Sequence, residues 1–260
     1  MVILIILLQA FERYPISASG LALSYACVAN IRGVDVIRIN PAALVFIEKN
    51  YLAVGYEYTF CGIEDLHNIG LGFARPIAFG GFGIAISEFG FSEETEQTIT
   101  PAMGIGLSKD FKLGIGFDLY IINNKRTGTC FGYGLNLGMI GVVMKKWSLG
   151  IYGHNLNQPQ FGNGEIGQIS PLLQAGIGYQ PFNDISSEID FSINNNLMRI
   201  HLGGEFKVFD FLFLRTGVRT NPQVVNLGIG GFYKFISIDY GVEYFPELPL
   251  THILYLGYKF

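Results

Sequence analysis

The chain has 260 residues, 15% of them charged and 50% hydrophobic, and its mean hydropathy is +0.36. Disorder is excluded, because it needs low hydrophobicity and high charge, and 17 basic against 21 acidic residues leave no basic footprint for nucleic acid. Charge lies well below the roughly 25% of soluble domains, and 34 glycines are about twice the roughly 7% average, which points to a membrane protein.

A spanning helix needs about 20 mostly apolar residues in a row. The longest apolar run, Val2 to Leu8, ends at Gln9. Residues 1–10 therefore read as a signal-peptide-like segment, shortened at its start, with Ala10 where cleavage would fall and Leu8 a poor match three positions before it. Residues 11–49 lack any strand pattern. They are rich in small residues, from Ser17-Ala18-Ser19-Gly20 through Ala26 and Ala29 to Asn40-Pro41-Ala42-Ala43. Small residues allow close packing in a confined space. Asn40 suits a helix cap and Pro41 a first helical turn. The segment is expected to be a plug, or hatch, in the mouth of the domain that follows.

Residues 50–260 change character. Side chains on a strand alternate faces, and here one face is repeatedly apolar. Ile236, Ile238, Tyr240, Val242 and Tyr244 alternate with Ser237, Asp239, Gly241 and Glu243. Leu254, Leu256, Tyr258 and Phe260 alternate with Ile253, Tyr255, Gly257 and Lys259. Fourteen such segments are predicted, near 51–61, 65–76, 80–91, 96–108, 111–123, 128–143, 145–155, 169–180, 182–194, 197–207, 210–220, 223–235, 236–246 and 249–260. Lengths of about 9–11 residues match tilted strands crossing a bilayer, longer than the five or six usual in a soluble all-β sandwich. An open sheet edge in lipid would leave backbone groups unpaired, so the sheet must close. The fold predicted is all-β: a 14-stranded antiparallel transmembrane β-barrel with an N-terminal hatch.

Connectors alternate between short turns (76–79, 109–110, 145–146, 181–184, 209–210, 235–236) and longer or more polar loops (92–97, 123–127, 155–170, 194–196, 220–222, 245–249). Short turns in such barrels face the periplasm, which puts both chain ends there and the chain in a bacterial outer membrane, with outer-membrane lipid as its surroundings. Aromatics cluster at the short-turn ends: Phe79, Phe111, Trp147, Phe182, Phe206, Phe235, Tyr258 and Phe260. They form an expected interfacial girdle.

The inward face predicted for the first strands is rich in glycine. The later strands carry inward charges and polar groups, among them Arg199, His201, Glu205, Arg215, Arg219, Asp239 and Glu243. The signs nearly balance, as in an ion-paired, hydrated lumen. None of His67, His154, His201 and His252 has metal-ligand spacing to another, and the glycine repeats lie inside strands rather than before a helix. No catalytic residue, metal or cofactor is assigned, and no enzyme activity is expected. Cys27, Cys61 and Cys130 are odd in number, so at least one thiol stays free.

The small-residue segment, then Asn40-Pro41-Ala42, then a first long strand resembles the FadL superfamily of outer-membrane barrels, nearest to its PorV/PorQ-type proteins. The topology-level resemblance spans residues 11–260 and the motif only about thirty. The family's Leu-Gly-Gly-Ala reads Leu21-Ala22-Leu23-Ser24 here, its acidic pair is replaced at Asn30-Ile31-Arg32, and its long outer loops are missing. The resemblance implies passive transport of small hydrophobic molecules. Its other branch implies an accessory role in type IX protein secretion through contacts with secretion-system proteins. It also implies a kinked third strand opening the wall sideways. Pro76, Gly80, Gly81 and Gly83 mark the expected break between residues 76 and 91, flanked by Arg75 and Glu88. Leu256, Tyr258 and Phe260 resemble the terminal assembly signal of such barrels.

Overall fold

The computed structural model describes residues 17–30, 33–60, 66–126, 128–161 and 167–260. The expectations for residues 1–16, including the signal-like segment, and for Cys61 lie outside these.

Fourteen antiparallel strands close into a barrel. In chain order they are β1 (Tyr51–Tyr58), β2 (His67–Ile77), β3 (Gly80–Phe91), β4 (Glu94–Gly106), β5 (Phe111–Asn124), β6 (Gly128–Val143) and β7 (Trp147–His154), then β10 (Leu172–Phe182), β11 (Ile185–Asn194), β12 (Leu197–Phe209), β13 (Leu212–Arg219), β14 (Val224–Tyr233), β15 (Ile236–Tyr244) and β16 (Thr251–Lys259). A two-stranded hairpin, β8 (Gln160–Phe161) with β9 (Gly167–Gln168), sits in the loop between β7 and β10. Each wall strand pairs with its neighbour in sequence, β7 pairs with β10, and β16 returns to β1. The alternation explains the geometry. In β1, Leu52, Val54, Tyr56 and Tyr58 are exposed on the outside, while Tyr51, Ala53, Gly55 and Glu57 are buried inside.

Turns follow local chemistry. Asn195 and Asn196 take φ of 48° and 64°, the left-handed pair that a tight two-residue hairpin needs and that Asn tolerates. The connector expected over 92–97 is shorter than predicted: β3 and β4 are joined by Ser92-Glu93 alone. Glu96 is then a strand residue, buried in the lumen rather than in a solvated loop. At the short-turn end, Trp147 stacks on Tyr179 at 4.2 Å and Tyr258 on Phe260 at 5.6 Å.

The seam is finished by the Phe260 N–H, which donates to the Asn50 carbonyl at 3.0 Å. Leu254, Leu256, Tyr258 and Phe260 all face outward. Deleting Phe260 removes that last bond and the ring beside Tyr258. The inserted, heat-modifiable fraction is expected to fall severalfold with synthesis unchanged, as read from gel mobility with and without boiling.

Candidate functional site: the lumen and the segment inside it

The described residues of the 17–49 segment lie inside the barrel and form its main buried cluster with the wall. They make two short helices, α1 (Ala18–Ala22) and α2 (Val36–Ile39), and a 3₁₀ turn over Pro41–Phe46. Ser17 caps α1 by accepting the Gly20 N–H at 3.1 Å. Asn40 accepts the Ala42 N–H at 3.1 Å and its amide donates to the Val28 carbonyl at 2.7 Å, so one side chain both starts the 3₁₀ turn and ties it to the preceding chain. Pro41 takes the first position of that turn, where its missing N–H costs nothing.

The wall accepts this segment through glycines that face each other across strand pairs: Gly81 with Gly104, Gly104 with Gly114, and Gly114 with Gly138. The pattern recurs at Gly150 with Gly176, Gly203 with Gly217, and Gly228 with Gly241. A Cβ on Gly81 would overlap the Leu44 main chain, and one on Gly114 the Ala42 main chain. The expected glycine-rich face is thus a seat for irregular backbone. It continues around the later strands, which the sequence reading had assigned to charges.

Carboxylates on β11 hold the same segment. Asp190 Oδ2 accepts the N–H groups of Cys27 and Val28 at 3.0 and 3.1 Å, and the Gln174 amide at 2.7 Å. Glu188 Oε1 accepts the Ala29 N–H at 2.6 Å. His201 Nδ1–H donates to the Ser24 carbonyl at 2.7 Å, which leaves Nε2 to accept from Ser192 Oγ at 2.8 Å. His201 is therefore a neutral tether, with this tautomer fixed by its two partners. Cys27 and Cys130 carry free thiols.

Asp35 links the two helices. Its Oδ2 accepts Ser17 Oγ at 3.0 Å and Ser19 Oγ at 2.6 Å, while Oδ1 has no partner among the described residues. Burial pushes its carboxyl up to about 7, against the two hydroxyl donors, which pull it down. A carboxylate raised in the folded state binds more protons there than when released. Docking of the segment should therefore be strongest in acid and weaken as pH rises from about 4 to about 7. Hydrogen exchange of α1 and α2 is expected to be faster at pH 8 than at pH 5, after correction for intrinsic rates. Asp35→Asn should narrow that difference.

The other predicted lumen residues fall into three groups. Arg215 bridges two carboxylates, with Nε 2.6 Å from Glu205 and Nη1 bonded to Asp239. Arg219 approaches Glu243 at 3.9 Å. Arg199 Nε donates to the Asn221 carbonyl at 2.9 Å near the long-loop end. Removing one member of a buried ionic group leaves the others uncompensated. Arg215→Ala is expected to cost the barrel about 3 kcal/mol, seen as a lower temperature for loss of heat-modifiable mobility.

Sequence reasoning missed a polar cluster around Asp118. His154 Nε2, the Tyr120 hydroxyl and the Asn136 amide lie 2.8, 2.9 and 2.7 Å from its Oδ2, and Thr100 bonds its other oxygen. Asn136 Oδ1 accepts the Asn155 N–H at 2.9 Å. The only sequence signal was an inward Asp118 and an inward His154 on strands that are not themselves adjacent. The cluster joins buried, inward positions of β4, β5, β6 and β7. On the short-turn side of the N-terminal segment, a cavity of about 560 Å³ opens between Phe46, Lys146, Trp147 and Lys259.

The wall is not kinked where the third strand was expected to break. Pairing of β2 with β3 runs without a register shift from His67–Gly90 to Ile77–Gly80, and β3 with β4 from Gly80–Ile105 to Phe91–Glu94. Gly81 and Gly83 are glycines because Leu44 and Ile37 press against them, not because the strand bends. Register shifts occur instead near the short-turn ends of β10–β11 and β12–β13. Pairing of β4 with β5 lapses at Thr100-Pro101 with its register unchanged, since Pro101 has no N–H to give.

Solved structures that match this fold include hydrocarbon channels. The toluene transporter TbuX of Ralstonia pickettii aligns with 97% of this chain and 99% of its own at a TM-score of 0.75 and 12% identity. The Pseudomonas putida toluene transporter TodX aligns with 95% of this chain and 98% of its own, at 0.70 and 12%. The monoaromatic hydrocarbon channel CymD covers 97% and 98%, at 0.66 and 12%. All three are of FadL type. The fold is theirs. No family model matches the chain, and no curated protein sequence does.

Proposed function

We propose that the chain is a bacterial outer-membrane channel that passes small hydrophobic molecules, with residues 17–49 as its hatch and both termini on the periplasmic side. The observation that carries the reading is a closed 14-stranded barrel with an internal N-terminal segment, aligned along almost its whole length with toluene transporters. Those neighbours favour transport over the secretion-accessory role, because they are channels rather than docking proteins. Continuous pairing along β3 leaves no side exit there. The path therefore runs along the lumen, past the Asp118 cluster, and needs the hatch to shift.

The test is uptake. Cells lacking their own hydrocarbon channel, supplied with this protein, should take up radiolabelled toluene severalfold faster than cells with an empty vector. Liposomes containing it should not swell in arabinose, because the docked hatch bars a hydrated sugar. Sugar entry without toluene uptake would make it a general porin and end this reading.

A further inference from the structure

We propose that the cavity at the short-turn end of the lumen is a binding site for a single-ring aromatic carboxylate. The charge around it is one-sided. Its described lining holds five lysines, Lys49, Lys145, Lys146, Lys234 and Lys259, against one acid, Glu48. The whole chain carries a net charge of -4, so this concentration runs against the overall sign. Lys49, Lys145, Lys146 and Lys234 have no ion pair among the described residues. A neighbouring cavity of about 380 Å³ is balanced by contrast: there Lys207 lies 2.8 Å from Asp210, and Arg215 2.6 Å from Glu205. The barrel imposes the gathering. Lys145 and Lys146 sit in the turn between β6 and β7, and Lys234 in the turn between β14 and β15, nearly opposite in the ring of strands. Lys49 follows the 3₁₀ turn of the inner segment. Charges of one sign around a single cleft raise the local concentration of the opposite ion.

The same cavity offers aromatic rings. Phe46 belongs to the inner segment, inside the barrel, yet it is 46% exposed. Val225, Leu227 and Ile229 face outward, which turns Phe232 toward the lumen, where it is 37% exposed. Neither exposure is explained by lipid. Lys259 Nζ lies 5.0 Å from the Tyr51 ring centroid and 5.1 Å from that of Phe232, contacts that hold an ammonium without neutralising it. A flat ring bearing a carboxylate answers both features at once. Its ring packs on Phe46 and Phe232, and its carboxylate accepts from the lysines. A neutral hydrocarbon would leave the ammonium groups uncompensated, and an inorganic anion would leave the rings wet. Ala29, Ala43 and Phe46 of the inner segment form part of the lining. An occupant therefore rests on that segment and favours its docked form. The turn lysines stand at the mouth, so ligand enters from the short-turn side with the segment in place. The site does not depend on passage of hydrocarbon through the lumen.

The probe is 4-fluorobenzoate, followed by fluorine NMR against the full-length protein in non-ionic detergent, with protein-free micelles as the blank. Saturable line broadening is expected with the protein. Changing Lys145→Glu and Lys146→Glu together should weaken binding by about fivefold or more, and Lys234→Glu, in the opposite turn, by about threefold. Each change lies in an exposed turn, so the test survives failure of either variant to insert. Phe46→Ala should also weaken binding severalfold. Benzoate should displace the probe at severalfold lower concentration than cyclohexanecarboxylate or inorganic phosphate, and should slow hydrogen exchange over residues 42–47. Signals equal to the micelle blank would overturn the site, as would binding that neither charge reversal weakens. Displacement by phosphate or cyclohexanecarboxylate as effective as by benzoate would overturn the aromatic carboxylate as its ligand. Toluene uptake by cells carrying the unaltered protein is a separate measurement. Uptake without probe binding removes the site and leaves the channel, and probe binding without uptake removes the channel and leaves the site.

Discussion

Deleting residues 17–49 is expected to raise single-channel conductance in planar bilayers by about an order of magnitude, because barrels much larger than eight strands are not filled by their own side chains. In this barrel the wall contributes even less filling than usual. At Gly81, Gly104, Gly114, Gly138, Gly150 and Gly176 it presents bare backbone, and the volume is taken by Leu44, Pro41, Ala42, Asn40, Val28 and Ala29 of the inner segment. Removal of that segment leaves a lumen lined by glycine and by ion-paired polar groups, which water enters readily. A gentler form of the experiment is Gly114→Leu, whose side chain needs the space of the Ala42 main chain and should produce intermittent openings. Conductance unchanged by the deletion would place the closing element elsewhere. The structure names the alternative, the Asp118 cluster with Phe161 above it.

The wall was legible in the sequence and the lumen was not, for one physical reason. A strand repeats its environment every two residues, so Leu254, Leu256 and Tyr258 each announce lipid, and fourteen such segments announce a closed sheet. Nothing periodic marks what lies inside. Gly81 and Gly83 stood out, but a glycine that bends a strand and a glycine that admits another backbone look alike until Leu44 and Ile37 are seen pressing on them. The same ambiguity hides the continuation of the seat to Gly203, Gly217, Gly228 and Gly241, which lie among inward charged residues. Asn40-Pro41 could be read because a cap and its turn are local. The bonds from Asp190 to Cys27 and Val28 span more than 160 residues, and Phe161 reaches Gly132 from a loop without any repeat. Such contacts depend on how the strands are wound around the lumen, which the alternation does not encode.

Asp190→Ala is expected to weaken docking of the inner segment by about 3 kcal/mol, on the order of a hundredfold in its released population. The carboxylate serves three donors at once, and two are backbone N–H groups with no side chain of their own to adjust. Truncation leaves the Cys27 and Val28 N–H groups and the Gln174 amide facing a methyl group in a buried site. Each stranded donor there costs about 1–3 kcal/mol, and water entering through the loosened contact offsets part of the sum. Asp190→Asn keeps one oxygen as an acceptor and should lose less. The readout is hydrogen exchange at residues 27–29, which should quicken strongly in the alanine variant and modestly in the asparagine variant, while exchange in β15 and β16 stays slow. Arg215→Ala supplies the contrast, since it should lower the stability of the wall without a selective effect at residues 27–29. Unchanged protection in Asp190→Ala would mean that the glycine seat alone holds the segment. The carboxylate would then be a bystander, and opening would have to work by displacing packed backbone rather than by releasing one latch. If protection is lost as expected, one side chain on β11 sets how often the hatch leaves its seat, and with it how often the lumen is open.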